Sequence, residues 1–130
     1  TIDINAGYFN WRWNRVALST PQGLRAGHSA VIVSSSMILF GGYGFTAMTS
    51  CKATQTASCI ASLSDTWKVG LGSLPASNSG WRWTEITTAN APSPRRYHSA
   101  IFTGTDIFVM GGGDEWVAAD GGIWRIQFGE

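Results

Sequence analysis

The sequence predicts an all-β protein built from two copies of one four-stranded unit, and three observations lead to this prediction. Residues 11–42 match residues 81–112 at a constant offset of 70, without a gap. The apolar residues come in short blocks separated by Gly, Pro, Ser or Asn, which is typical of strands joined by turns. Only 13% of the 130 residues are charged, whereas 16 are Gly and 7 are Trp. That composition favours short strands and tight turns over helices or disorder.

Four apolar blocks mark the strands of the first unit. Ala30–Val33 and Met37–Phe40 are nearly continuous, as expected for strands that are buried on both faces. Apolar and polar or small residues alternate in 67–71, which predicts the third strand, and the block that contains Trp83 and Ile86 predicts the fourth. The second unit repeats the first three blocks. The sequence that matches the fourth block lies at the other end of the chain, in residues 11–18, and is predicted to form a lone outer strand.

The two units differ by an insertion. Trp67 matches Trp124 at an offset of 57 rather than 70, so the first unit carries 13 extra residues between its double glycine and its tryptophan strand. The predicted division of the chain is therefore 1–18 for an N-terminal segment with the lone strand, 19–88 for the first unit with an insertion at 43–64, and 89–130 for the three-stranded second unit.

The insertion contains both cysteines of the chain, Cys51 and Cys59. Their proximity in a polar loop predicts a local disulfide, which would stabilise the loop by about 2–3 kcal/mol in the chain-entropy model. The alternative is a pair of reduced thiols in a cytosolic protein. The disulfide would indicate an oxidising, extracellular setting. The Ser/Thr-rich stretch 46–58 of the same loop is either a carrier of O-linked glycan or a plain solvated loop.

The motif Pro94-Arg95-Arg96-Tyr97-His98-Ser99-Ala100, followed by Ile107–Gly112 and Trp124, resembles the kelch repeat. The first copy, from Arg25 through Gly41-Gly42 to Trp67, matches apart from the insertion and a proline that lies four residues before its arginine. The resemblance implies β-propeller blades, each a four-stranded antiparallel sheet. About two blades form an incomplete ring. The chain is then a segment of a longer protein, a subunit that completes a propeller by oligomerising, or a unit of an open array.

Several function classes are disfavoured by the sequence. A net charge of +1 argues against nucleic-acid binding, and no apolar run approaches the roughly 18 residues of a membrane span. No catalytic triad, carboxylate pair or metal-ligand spacing is visible, so we expect neither catalysis nor a cofactor. His28 and His98 share one repeat position, which indicates either a ring of metal ligands or two structural residues. The copper site of the galactose-oxidase-like kelch enzymes is not supplied by this segment.

The resemblance also implies a binding face, made by the loop that enters the first strand of each blade and the loop that leaves the second. Arginine and aromatic side chains on such loops are typical of protein recognition. Arg25 and Arg95 have a structural alternative, which is an intramolecular pairing that holds the loop. Arg96 and Trp116 have Ala26 and Thr46 as their counterparts at offset 70, which favours function. The candidate binding residues are Arg25, Tyr43, Phe45, Arg95, Arg96, Asp114, Glu115 and Trp116.

Taken together, these features predict a non-catalytic kelch β-propeller module for protein recognition or structural assembly in an extracellular setting. Its expected partner is a protein, or a further copy that associates through the loop face and the open strand edges. One alternative is a part of a secreted kelch-type oxidase or carbohydrate-active enzyme whose catalytic residues lie elsewhere. The other is a repeating subunit of an extracellular filament.

Overall fold

The computed structural model describes residues 13, 23–45, 60–71, 81–114, 117–118 and 121–127. These residues form strands and connections and no helix, so the predicted all-β class is confirmed. None of them belongs to a helix that is long and apolar enough to cross a membrane. The strands are β1 (Arg25–Ala26), β2 (Ser29–Val33), β3 (Ser36–Phe40), β4 (Tyr43–Phe45), β5 (Ile60–Ser62), β6 (Thr66–Gly70), β7 (Trp83–Ile86), β8 (Ser99–Phe102), β9 (Asp106–Met110), β10 (Gly113–Asp114), β11 (Val117–Ala118) and β12 (Ile123–Gln127).

The first unit forms a four-stranded antiparallel sheet with the order β2-β3-β6-β7. Leu39 on β3 lies opposite both Ala30 on β2 and Trp67 on β6. The predicted four-stranded blade is thus present, and the third strand pairs as the alternating block 67–71 indicated. The tight connection between β2 and β3 passes through Ser34, which has a positive φ of 54°.

The second unit forms a three-stranded antiparallel sheet with the order β8-β9-β12. Val109 on β9 lies opposite Ala100 on β8 and Trp124 on β12, which repeats the pairing of Leu39 with Ala30 and Trp67. The offsets of 70 and 57 found in the sequence are therefore also the offsets of the strand registers. Within the described part of the chain, this sheet has one strand fewer than the first.

The hydrophobic core lies between the two sheets. Ile38 and Phe40 on β3 and Ile107 and Val109 on β9 are buried in it. Full burial of such a side chain contributes about 1.5–3 kcal/mol to folding. The flanking strands add Val31, Val33, Ile86, Ala100, Phe102, Trp124 and Ile126, which are partly buried against the same cluster.

The expectation that strand β2 is buried on both faces is wrong. Val31 and Val33 face the second sheet, but Ala30 and Ile32 point the other way and are exposed. The expectation holds for β3, where Ile38, Leu39 and Phe40 are all buried. The difference arises because β2 is the edge strand of its sheet whereas β3 is an interior strand.

The insertion of the first unit begins and ends as paired strands. β4 and β5 pair in antiparallel register, with Gly44 opposite Ala61, and β1 pairs with the other side of β4. Cys51 and Cys59 lie outside the described residues, as does the Ser/Thr-rich stretch 46–58, so the disulfide and the glycan stay predictions. Of the predicted lone strand 11–18, only Trp13 is described, and it is fully exposed. The predicted division at 18/19 and 88/89 likewise stays a prediction.

Candidate binding surface at the loop face

One arginine in each unit ties the entry loop to the double glycine of its own blade. Arg25 donates a hydrogen bond from Nη1 to the carbonyl oxygen of Gly41 at 3.0 Å. Arg95 donates the equivalent bond from Nη1 to the carbonyl oxygen of Gly111 at 3.1 Å. The two contacts span the same 16 residues of sequence. Because the same hydrogen bond occurs in both units, we interpret it as part of the structure of each blade.

Arg25 also forms a bidentate ion pair. Its Nη1 and Nη2 donate to Asp65 Oδ1 and Oδ2 at 2.7 and 2.9 Å, and the Trp67 indole donates to Oδ2 at 2.6 Å. Burial of Asp65 opposes its ionised form, but the hydrogen bonds from Arg25 and Trp67, with the Arg25 charge, outweigh burial and lower the pKa of this carboxyl. The structure thus engages Arg25 inside the protein, as its structural alternative proposed.

Arg95 is fully buried. Besides Gly111 it bonds to Ser93, with Nε donating to the carbonyl oxygen at 3.1 Å and Nη2 to the hydroxyl at 3.1 Å. Burying a guanidinium is tolerated only with such partners. The structure therefore places Arg25 and Arg95 as anchors beneath the loop face, and a direct contact of either with a partner stays a prediction.

The second glycine of each pair allows close approach of backbone. A Cβ added to Gly42 would lie 2.6 Å from the carbonyl oxygen of Ala26, and one added to Gly112 would lie 2.5 Å from that of Arg96. Both glycines also have a positive φ, of 90° and 78°. The Gly42 N–H also donates a hydrogen bond to the carbonyl oxygen of Arg95 at 2.9 Å, which joins the two units.

His98 links the two units. Its Nε2 lies 2.8 Å from the hydroxyl of Ser29 on β2, and its ring contacts Phe40 edge-on at 5.2 Å. Burial lowers the pKa of His98, and the charge of Arg95 contributes in the same direction. His28 holds the equivalent position in the first unit, where partial burial followed by the charge of Arg25 lowers its pKa. Among the described residues, no group of three His, Cys, Asp or Glu side chains is arranged to bind a metal.

The surface of the loop face is formed by a group of residues that we call the aromatic–arginine cluster: Tyr43, Ser62, Arg96, Tyr97 and Asp114. The guanidinium of Arg96 lies over the Tyr43 ring, 4.6 Å from its centroid. Arg96 Nε donates to the Ser62 hydroxyl at 2.9 Å, and Nη2 lies 3.8 Å from Asp114 Oδ1. Three contacts from three segments thus fix the orientation of one side chain.

Tyr97 completes the cluster and is 70% exposed. Its hydroxyl donates to that of Tyr43 at 3.4 Å, and this bond raises the pKa of Tyr97. Its backbone has a φ of 58°, which is unfavourable for a side chain of this size, and its N–H donates to the carbonyl oxygen of Gly27 at 2.8 Å. An outlier of this kind persists only where the surroundings impose it.

The sequence predicted part of this cluster. The structure brings the candidates Tyr43, Arg96 and Asp114 together, and their role in binding stays a prediction; Tyr97 and Ser62 were missed. Tyr97 could have been found by the signal that identified Arg96, because its counterpart at offset 70 is Gly27. Asp65 was missed as the partner of Arg25, since they lie 40 residues apart. The side chains of Phe45, Glu115 and Trp116 lie outside the described residues, and their role stays a prediction.

A groove of about 510 Å³ lies between the two sheets, away from the cluster. Its walls are Ile38 and Phe40 from the first sheet, Val109 and Trp124 from the second, and the connection 87–92. It is continuous with the core.

Known proteins share this sequence pattern. No family model matches the chain. Kelch domain-containing protein 3 of Bos taurus and that of Homo sapiens are each 32% identical to it over 112 residues, which is 85% of this chain and 24% of each relative. The Mus musculus protein is 31% identical over the same length. The two units are kelch repeats. The chain spans about a quarter of the length of these curated relatives. Its four-stranded sheet is one kelch blade, and its three-stranded sheet is the described part of a second blade.

Proposed function

We propose that this kelch segment is a protein-recognition module whose partner binds across the aromatic–arginine cluster. One observation carries the proposal. Arg96 is held by Tyr43, Ser62 and Asp114 and is only 16% exposed, while Tyr97 beside it stays exposed in a strained conformation. A rigid, preformed surface loses little conformational entropy when a partner binds. Arg96 thus acts as a positioning residue, and Tyr97 provides the contact.

The chemistry of the surface favours a polypeptide as the partner. Tyrosine and arginine are enriched among the residues that dominate binding energy at protein interfaces. Asp114, whose side chain is 61% exposed, adds a carboxylate to this surface. Kelch-repeat proteins commonly mediate protein interactions, and the match to kelch relatives supports the same role here.

The test is a selection of binding peptides from a displayed random library with the whole chain as bait, followed by titration of the selected peptides. We expect Tyr97→Ala to weaken their binding about 10-fold or more, which corresponds to about 1.4 kcal/mol. Arg96→Ala should weaken it through loss of the Tyr43 and Tyr97 geometry. The control is Arg125→Ala, because Arg125 is likewise an arginine near a carboxylate, 3.9 Å from Asp106, but it is 49% exposed and lies on β12. Equal binding by all variants would contradict the proposal.

We further propose an extracellular setting, on the sequence proximity of Cys51 and Cys59 alone. Native mass spectrometry before and after reduction tests it, with an expected gain of about 2 Da because the reductant supplies two electrons and two protons to one disulfide. A chain with two free thiols would contradict it. Extra mass in hexose steps would indicate the O-linked glycan predicted for 46–58.

A further inference from the structure

Two tyrosine side chains from different units are in contact at the loop face. Tyr43 lies on β4 of the first unit, and Tyr97 lies in the entry loop of the second unit, 54 residues further along the chain. Their ring centroids are 5.9 Å apart, with an angle of 59° between the ring planes, and their hydroxyl oxygens are 3.4 Å apart. The fold thus brings together two of the three tyrosines of the chain.

The hydrogen bond between the two hydroxyl groups does not explain this contact. Its length of 3.4 Å exceeds the usual distance of about 2.5–3.0 Å between two hydroxyl oxygens, and it is exposed to solvent. A long hydrogen bond of this kind competes with water and contributes little to folding.

Other contacts hold both rings in place. The guanidinium of Arg96 lies over the Tyr43 ring, and Arg96 is itself bound to the Ser62 hydroxyl. The Tyr97 ring lies against Gly27, where an added Cβ would be 3.1 Å from Tyr97 Cε1, so the glycine leaves the space that this ring occupies. The two rings are therefore kept side by side by contacts that do not involve their hydroxyl groups.

We propose that Tyr43 and Tyr97 are a modification site at which oxidation joins the two units through a carbon–carbon bond, as an intramolecular dityrosine. The co-reactant is a one-electron oxidant, namely a haem peroxidase with hydrogen peroxide. Each phenol gives up one electron and its hydroxyl proton, and the two radicals couple at ring carbons beside the hydroxyl groups. The hydrogens on those carbons then move to the phenolic oxygens. The chain loses two hydrogen atoms in all, and the peroxide becomes two molecules of water.

Proximity favours this product over coupling between molecules. Two groups held in contact within one chain react as if each were present at about millimolar concentration or above, which exceeds a micromolar chain concentration about 1000-fold. The further approach that coupling needs is within the fast side-chain motion of exposed residues. The new bond closes a loop of 54 residues between the two units, so it restricts the unfolded chain. This inference goes beyond the recognition role of the cluster and does not rest on it.

The experiment exposes the 130-residue chain, at micromolar concentration, to a haem peroxidase and hydrogen peroxide. We expect the blue fluorescence of dityrosine in a product that runs as a monomer on a denaturing gel. Proteolysis of this product should give one crosslinked peptide pair, which joins Tyr43 to Tyr97. Tyr97→Phe and Tyr43→Phe should each lower the fluorescence at least about 10-fold, because each removes one phenolic hydroxyl and keeps the ring. Tyr8→Phe is the matched control and should crosslink as the unmodified chain does.

Three results would overturn the proposal. The first is an unmodified chain without dityrosine under conditions that couple free tyrosine in a parallel reaction. The second is a covalent dimer as the main product, and the third is a crosslink that Tyr97→Phe leaves unchanged. Tyr43→Phe decides the third point if Tyr97→Phe fails to fold. No binding partner is present in these reactions, so their outcome is separate from that of the peptide titrations.

Discussion

The entry loops of the two blades occupy the same place in the fold but carry different surfaces. In the first blade the loop reads Arg25-Ala26-Gly27, and in the second it reads Arg95-Arg96-Tyr97. Both leading arginines bond to the first glycine of their own double glycine. The two residues that follow are small in one blade. In the other they form the centre of the aromatic–arginine cluster, with Arg96 mostly buried and Tyr97 exposed. Residues that recur with the repeat thus build the blade, and residues that break the repeat distinguish one blade's surface from the other.

The largest expected effect comes from removing a recurring arginine. Arg25→Ala leaves the half-buried Asp65 without its bidentate partner, and breaking a buried ion pair costs about 3–5 kcal/mol. Arg95→Ala removes the three hydrogen bonds that the buried guanidinium donates to Ser93 and Gly111, at about 1 kcal/mol each. Arg96→Ala, which removes a surface contact, should cost about 1 kcal/mol or less. Urea denaturation measures the free energy of unfolding of the three variants. Equal losses would contradict the distinction between the recurring arginines, which hold the blade, and Arg96, which does not.

A second test concerns the double glycines. Gly112→Ala should destabilise the chain by about 2–3 kcal/mol, because it combines a left-handed residue with a Cβ that would lie 2.5 Å from the carbonyl oxygen of Arg96. Gly70→Ala is the matched control, since an added Cβ there meets nothing within 4 Å. Thermal unfolding of both variants decides the point. Similar melting temperatures would show that the close approach at Gly112 can relax.

The histidines give a smaller, pH-dependent effect. Because burial lowers the pKa of His98 in the folded state, the unfolded chain binds more protons as the pH falls below about 6.5, and stability is lost there. At higher pH both states are neutral and the contribution is complete. His98→Gln should therefore flatten the fall in the urea midpoint between pH 8 and pH 5. His28→Gln at the equivalent position provides the comparison, and an unchanged slope in His98→Gln would contradict the assignment.

Much of the fold could be predicted from the sequence, because strands that match between the two units in sequence also pair in the same register in the two sheets. The match of Trp67 with Trp124 located two strands that do lie opposite Leu39 and Val109. The exposure of Ile32 could not be predicted, because an apolar block does not show which strand lies at the edge of a sheet. Within the site, the comparison of Arg96 with Ala26 identified a surface residue, and the same comparison of Tyr97 with Gly27 would have identified its neighbour. The partners Ser62 and Asp65 depend on contacts across 34 and 40 residues, for which the sequence contains no local signal.

The most direct test of this account exchanges the two residues that distinguish the loops. A double variant with Arg96→Ala and Tyr97→Gly gives the second loop the sequence of the first at these positions. Glycine relieves the strained backbone at φ 58°, which offsets the lost contacts of Arg96, so the melting temperature should stay close to that of the unmodified chain. Binding of the selected peptides should be lost. A folded variant that binds as before, or a variant that fails to fold, would contradict the claim that these two residues serve recognition and not the blade.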